Sequence, residues 1–214
     1  MKIIIVASSP IKTFYKLYHF NPSDYFIGVD GGCEEILRRN IVPDIAIGDF
    51  DSTNILDTIR EKSLETKVFP SKKNETDLEL AFMHLKNVKG SENLIVEVYD
   101  ALSGRLDHEM IAIRLLQKYS EYKIKLIDEK NVVQIVKEKQ SIELNSKDIA
   151  YFSIFPISES IVSIKHAMYP LNKVLIKEID TYTTSNGPLD EHTNPIVYVH
   201  SGSIYLCIIK NSGI

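Results

Sequence analysis

The sequence predicts an α/β protein, with a mostly parallel, helix-covered sheet over residues 1–130 and an all-β domain over residues 131–214. Three observations carry this expectation. Short apolar runs alternate with helix-length amphipathic segments up to about residue 130, the rhythm of βαβ units. After Asn131 the helical pattern stops and short β-rich runs follow one another through roughly 80 residues, as in a sandwich or a barrel-like domain. Finally, 214 residues that are 44% hydrophobic are enough for one or two domains that need no covalent staples.

Taken in order, the first half offers strands at 3–7, 25–29, 44–47, 67–69, 94–99 and 123–127. Helices are expected at 33–39, 55–61, 77–86 and 107–119; the last carries Met110, Ile111, Ile113, Leu115 and Leu116 near helical spacing. In the second half strands are expected at 132–136, 142–144, 149–155, 161–164, 174–176, 196–199 and 204–209. Pro156, Pro170, Pro188 and Pro195 punctuate them at turns and edges.

Composition excludes several classes. Cys33 and Cys207 are the two cysteines, too few and too far apart for a disulfide scaffold or a zinc site, and they point to a reducing, cytoplasmic compartment. A net charge of −4 without a basic run argues against nucleic-acid binding. The apolar run at 3–7 is too short for a signal-peptide core, and no stretch approaches bilayer length, so a soluble protein with no membrane partner is expected.

Acids fall where the strands end. The strand at 25–29 runs into Asp30-Gly31-Gly32, and the strand at 44–47 runs into Gly48-Asp49-Phe50-Asp51-Ser52. In open α/β sheets the C-terminal edge is where ligands bind. Gly31 and Gly32 lead into a helix whose first amides could face phosphate. On extended backbone Asp49 and Asp51 would project to one side and share a hard cation, magnesium above all; the weaker alternative is that these acids cap the following helix. Thr76 or Asn74 could cap the helix that begins at Asp77, with Lys72 and Lys73 just upstream as solvated charges or phosphate ligands. A third strand-to-helix loop carries Asp100-Ala101-Leu102-Ser103-Gly104-Arg105-Leu106-Asp107-His108. Here Arg105 offers a planar phosphate donor and Asp107 suits a helix start.

These motifs, Val29-Asp30-Gly31-Gly32, Pro43-Asp44, Gly48-Asp49-Phe50-Asp51-Ser52, Thr76 to Ala81 and Gly104-Arg105-Leu106-Asp107-His108, resemble in order and spacing those of thiamine pyrophosphokinase. Ser185-Asn186 resembles that family's late Ser-Asn pair. The sequence departs from the pattern at Asp100 and Ser103, which stand where the family's arginine loop has glycines, and at Thr183-Thr184, where Arg-Gly is usual. The resemblance implies an α/β catalytic, ATP- and Mg2+-binding domain followed by a thiamine-binding β-sandwich, working as a homodimer with shared sites. It implies transfer of a pyrophosphoryl group from ATP to thiamine. Asp49, Asp51 and Asp77 would bind metal, and these with Arg105 would carry catalysis. Asp30, Gly31, Lys73, Thr76, Arg105, Asp107 and His108 would hold the nucleotide, and Ser185 and Asn186 would meet thiamine. Two rivals stand beside this reading. A magnesium-dependent phosphohydrolase could use Asp49 as nucleophile, though Ser52 falls in the wrong place and Arg105 has no task there. A non-catalytic nucleotide sensor would bind ATP without consuming it.

Overall fold

The computed structural model describes residues 1–51, 53–102 and 104–211; Ser52 and Ser103, both part of the motifs above, lie outside the described residues. The chain divides into two compact units, Met1–Asp128 and Glu129–Ile214.

The first unit is a parallel sheet with strands β1 (Ile3–Val6), β2 (Tyr25–Val29), β3 (Ile45–Gly48), β4 (Glu65–Val68), β5 (Ile95–Tyr99) and β6 (Lys123–Ile127), in the order β4-β3-β2-β1-β5-β6. β1 is buried along its whole length, which is why its sequence is a continuous apolar run rather than an alternating one. The chain builds outward from β1 through β2, β3 and β4, then returns to the other side of β1 with β5 and β6. A topological switch point therefore lies between β1 and β5.

The helices are α2 (Gly32–Arg38), α3 (Leu56–Lys62), α4 (Asp77–His84, continued by a 3-10 turn at Leu85–Asn87) and α5 (Leu106–Lys118). They agree with expectation to within a few residues. No periodicity points to α1 (Phe14–Leu17), a single turn of four residues. Helix nucleation is unfavourable at that length, so tertiary contacts must form it. Phe14 is fully buried and stacks on Tyr18 with ring centroids 5.2 Å apart, in a cluster with Ile4, Val6, Phe26 and Tyr99.

The second unit contains β7 (Asn131–Lys137), β8 (Gln140–Glu143), β9 (Ile149–Pro156), β10 (Ser160–Lys165), β11 (Leu171–Ile176), β12 (Ile196–Ser201) and β13 (Ser203–Lys210). β7-β13-β9 pair antiparallel, and so do β11-β10-β12-β8. Both layers contribute to one apolar core, with Phe152, Ile154, Ile204 and Leu206 from one side and Val162, Ile164, Val197 and Val199 from the other. That is a sandwich. Among the described residues no helix is long and apolar enough to cross a membrane.

Candidate active site at the switch point

A cavity of about 600 Å³ opens in the first unit, walled by residues that follow β1, β2, β3 and β5 and by the start of α4. Asp30, Asp49 and Asp77 meet on its wall, with carboxylate oxygens within 4.8 Å of one another. Backbone geometry brings Asp30 in. It sits at φ 48, and its Oδ1 accepts a hydrogen bond from the Phe50 amide at 3.3 Å. Gly48 is required beside it, because a Cβ there would lie 1.8 Å from Asp30 Oδ1.

Asp77 is the first residue of α4, and Thr76 caps that helix: its Oγ1 accepts from the Glu79 amide at 3.2 Å. Of the two expected caps, Thr76 is the one in place. Lys73 closes the group. Its Nζ lies 3.0 Å from Asp77 Oδ1 and 3.6 Å from Asp49 Oδ2, with its side chain 10% exposed. It is neither solvated nor free for phosphate in this state.

Asp77 and Asp49 share this one ammonium with Asp30 close by, and the charges respond. Burial, followed by the Asp77 and Asp49 charges, pushes Asp30 up to about 7. Burial also acts on Asp49, but hydrogen bonds from the Asp51 amide, Ser71 and Lys73 outweigh it and leave its pKa lowered. Burial pulls Lys73 down, yet the hydrogen bond and charge of Asp77, with Asp49 and Asp30 behind it, leave it raised.

Asp51 lines the cavity but stands outside this trio. The expectation that Asp49 and Asp51 project together assumed extended backbone. Phe50 instead adopts φ 55, turning the chain between them, and the Asp51 amide bonds back to Asp49 Oδ1 at 3.2 Å. Ser52 is outside the described residues.

Arg105 and His108 line the cavity from the loop after β5 and the first turn of α5. Arg105 is exposed and bound in a fork by Asp107, Nε to Oδ1 at 3.1 Å and Nη2 to Oδ2 at 2.6 Å. That hydrogen-bonded pairing holds the Asp107 carboxyl down at about 2. Asp107 and Gly31, which caps α2, are not among the described lining residues.

Ser185 and Asn186 belong to the second unit. Ser185 is exposed at φ 55. Asn186 is 5% exposed, and its amide is engaged with backbone: Oδ1 accepts from the Tyr169 amide at 3.0 Å, and Nδ2 donates to the Tyr169 carbonyl at 2.8 Å. Its side chain is a clasp on the segment holding Tyr169.

Ser8, Ser9 and Pro10, which follow β1, also line the cavity and are absent from the expected site residues. They carry no charge or motif; the signal that could have found them is their place after the central strand of the sheet.

Residues 17–127 match the family model described as thiamin pyrophosphokinase, catalytic domain. Thiamine pyrophosphokinase of Bacillus subtilis (strain 168) is 33% identical over 194 residues, covering 87% of this chain and 89% of that one. The crystal structure of thiamine pyrophosphokinase from Bacillus subtilis superposes with a TM-score of 0.85 at 27% identity, covering 99% of this chain and 100% of that one. A structure of thiamin pyrophosphokinase from Geobacillus thermodenitrificans shares the fold, with a TM-score of 0.82 at 24% identity over 100% of this chain and 99% of that one.

Proposed function

This chain belongs to the thiamin pyrophosphokinase family, and we propose on that premise that it is an ATP-dependent thiamine diphosphokinase, transferring a pyrophosphoryl group from ATP to the hydroxyethyl oxygen of thiamine and releasing AMP. The observation that carries the reading is the meeting of Asp30, Asp49 and Asp77 on one cavity wall beside the switch point. Carboxylate oxygens packed this closely suit a hard divalent cation, and Mg2+ fits their chemistry. Asp30, Asp49 and Asp77 would hold it, with Asp51 as the fourth acid of the set. When bound, the ion supplies charge neutralisation along the polyphosphate.

The chain's own groups do the rest by positioning. Thr76 fixes the start of α4 and with it Asp77. Lys73 keeps Asp77 and Asp49 oriented by bonding both. Asp107 holds the Arg105 guanidinium extended until a phosphate takes over the fork. His108 completes the nucleotide side from the cavity wall, and Gly31 packs closely against Ser8 of that wall. Because phosphoryl transition states are loose, Asp77 needs to be no more than a weak base toward the thiamine hydroxyl.

In this reading residues 1–130 form the nucleotide domain and residues 131–214 the thiamine domain. Ser185, exposed at its left-handed turn, would hydrogen-bond the aminopyrimidine, and Asn186 would hold that turn in shape. The working form would be a cytoplasmic homodimer with shared sites. Product analysis with ATP, Mg2+ and thiamine tests the proposal. AMP and thiamine diphosphate in equal amounts are expected; ADP, or free phosphate with unmodified thiamine, would overturn it.

A further inference from the structure

We propose that Asp100 is a positioning residue for the nucleotide, clamping residues 8–13 in place as a wall of the cavity. The proposal rests on the ATP reading above. Asp100 follows β5 at φ 56, a left-handed conformation unfavourable for a residue with a Cβ, and it is 1% exposed. Its Oδ1 accepts three hydrogen bonds from the segment after β1: from the Thr13 amide at 2.6 Å, Thr13 Oγ1 at 2.9 Å and the Phe14 amide at 3.1 Å. The Asp100 carbonyl accepts from the Ser9 amide at 2.9 Å, and the Tyr99 carbonyl from the Ala7 amide at 2.9 Å. The segment after β1 is thus tied across the switch point to the end of β5. Among the described residues Oδ2 has no donor, so the clamp rests on the acceptor at Oδ1 alone.

What the clamp holds bears on the site. Ser8, Ser9 and Pro10 line the cavity together with Asp30, Asp49 and Arg105. Gly104, immediately before Arg105, approaches so closely that a Cβ there would lie 2.8 Å from Pro10 Cδ. The arginine loop therefore rests on residues 8–13, and releasing that segment would loosen both the wall and the bed of Arg105.

Calorimetric titration of the full-length protein with MgATP tests this without requiring turnover. Asp100→Gly keeps the backbone conformation and removes the clamp; it should weaken MgATP binding about tenfold, as the loss of a few positioned hydrogen bonds would. Asp100→Asn keeps an acceptor at Oδ1 and tolerates the left-handed backbone, so it should stay within about twofold of wild type. Thr13→Val removes one donor from the opposite side and should weaken binding about threefold. Wild-type affinity in a folded Asp100→Gly protein would overturn the proposal. So would equal losses in Asp100→Asn and Asp100→Gly, which would assign the effect to charge. Should Asp100→Gly fail to fold, unchanged affinity in folded Thr13→Val overturns it instead. Wild-type protein that binds no MgATP would overturn the ATP reading and the clamp with it; wild-type protein that binds MgATP but makes no thiamine diphosphate would overturn the proposed function alone.

Discussion

In the α/β unit three carboxylates crowd within 4.8 Å of one another and two of them pair with Lys73, whereas in the β unit Asn186 joins its amide to the backbone of Tyr169 at 2.8 and 3.0 Å. Both places hold a non-glycine residue at positive φ, Asp30 in the first and Ser185 in the second. The first leaves like charges facing one another and improves when a cation arrives. The second has already satisfied its buried polar groups and stands by itself. The difference separates residues kept for a ligand from residues kept for the fold, even where both look like motif.

The largest expected effect breaks the first region. Asp49→Asn or Asp77→Asn should lower kcat/KM by at least about 100-fold, read as thiamine diphosphate formed, while costing no more than about 1 kcal/mol of stability, because the lost ion pair with Lys73 is offset by relief of the repulsion on Asp30. A parallel fall in stability and activity would erase the contrast. Metal addition sharpens it: Mg2+ at about 100 times its dissociation constant should stabilise the wild type by about 2.7 kcal/mol in urea unfolding and Asp49→Asn far less. In the second region Asn186→Ala should cost about 2–3 kcal/mol of stability by leaving buried backbone groups unpaired, again read by urea unfolding. An unchanged midpoint there would make Asn186 a ligand residue and not a clasp.

Smaller effects divide neighbours. Asp51→Asn should reduce kcat/KM by about tenfold, clearly less than Asp49→Asn, because the turn at Phe50 keeps Asp51 out of the trio. Equal losses would place Asp51 on a par with Asp49. Ser185→Gly should change stability by no more than a few tenths of a kcal/mol while raising the KM for thiamine, since the exposed hydroxyl is lost and the positive φ is eased. An unchanged KM would remove Ser185 from the thiamine site.

The βαβ alternation, the run of β-strands after Asn131 and the acids at strand ends were all legible from residue order, because hydrophobic period and turn chemistry are local properties. Helix α1 was not, since four residues carry no period and Phe14 is held by partners distant in sequence. The same limit applies to the site. The motifs around Asp30, Asp49, Asp77 and Arg105 could be read off the chain. That Asp30 and not Asp51 completes the trio depends on a left-handed Phe50 and the room beside Gly48.

Residue order by itself determined, α1 apart, which segments become strands and helices, where the α/β rhythm ends, and that acids and an arginine fall in strand-to-helix loops. Tertiary structure alone decided which of those acids share a space, that Lys73 pairs with Asp77 and Asp49, and that Asp100 ties the segment after β1 to the end of β5. Periodicity acts over a few residues, while the approach of two carboxylates or a clamp spanning 87 residues depends on how the sheet orders its strands.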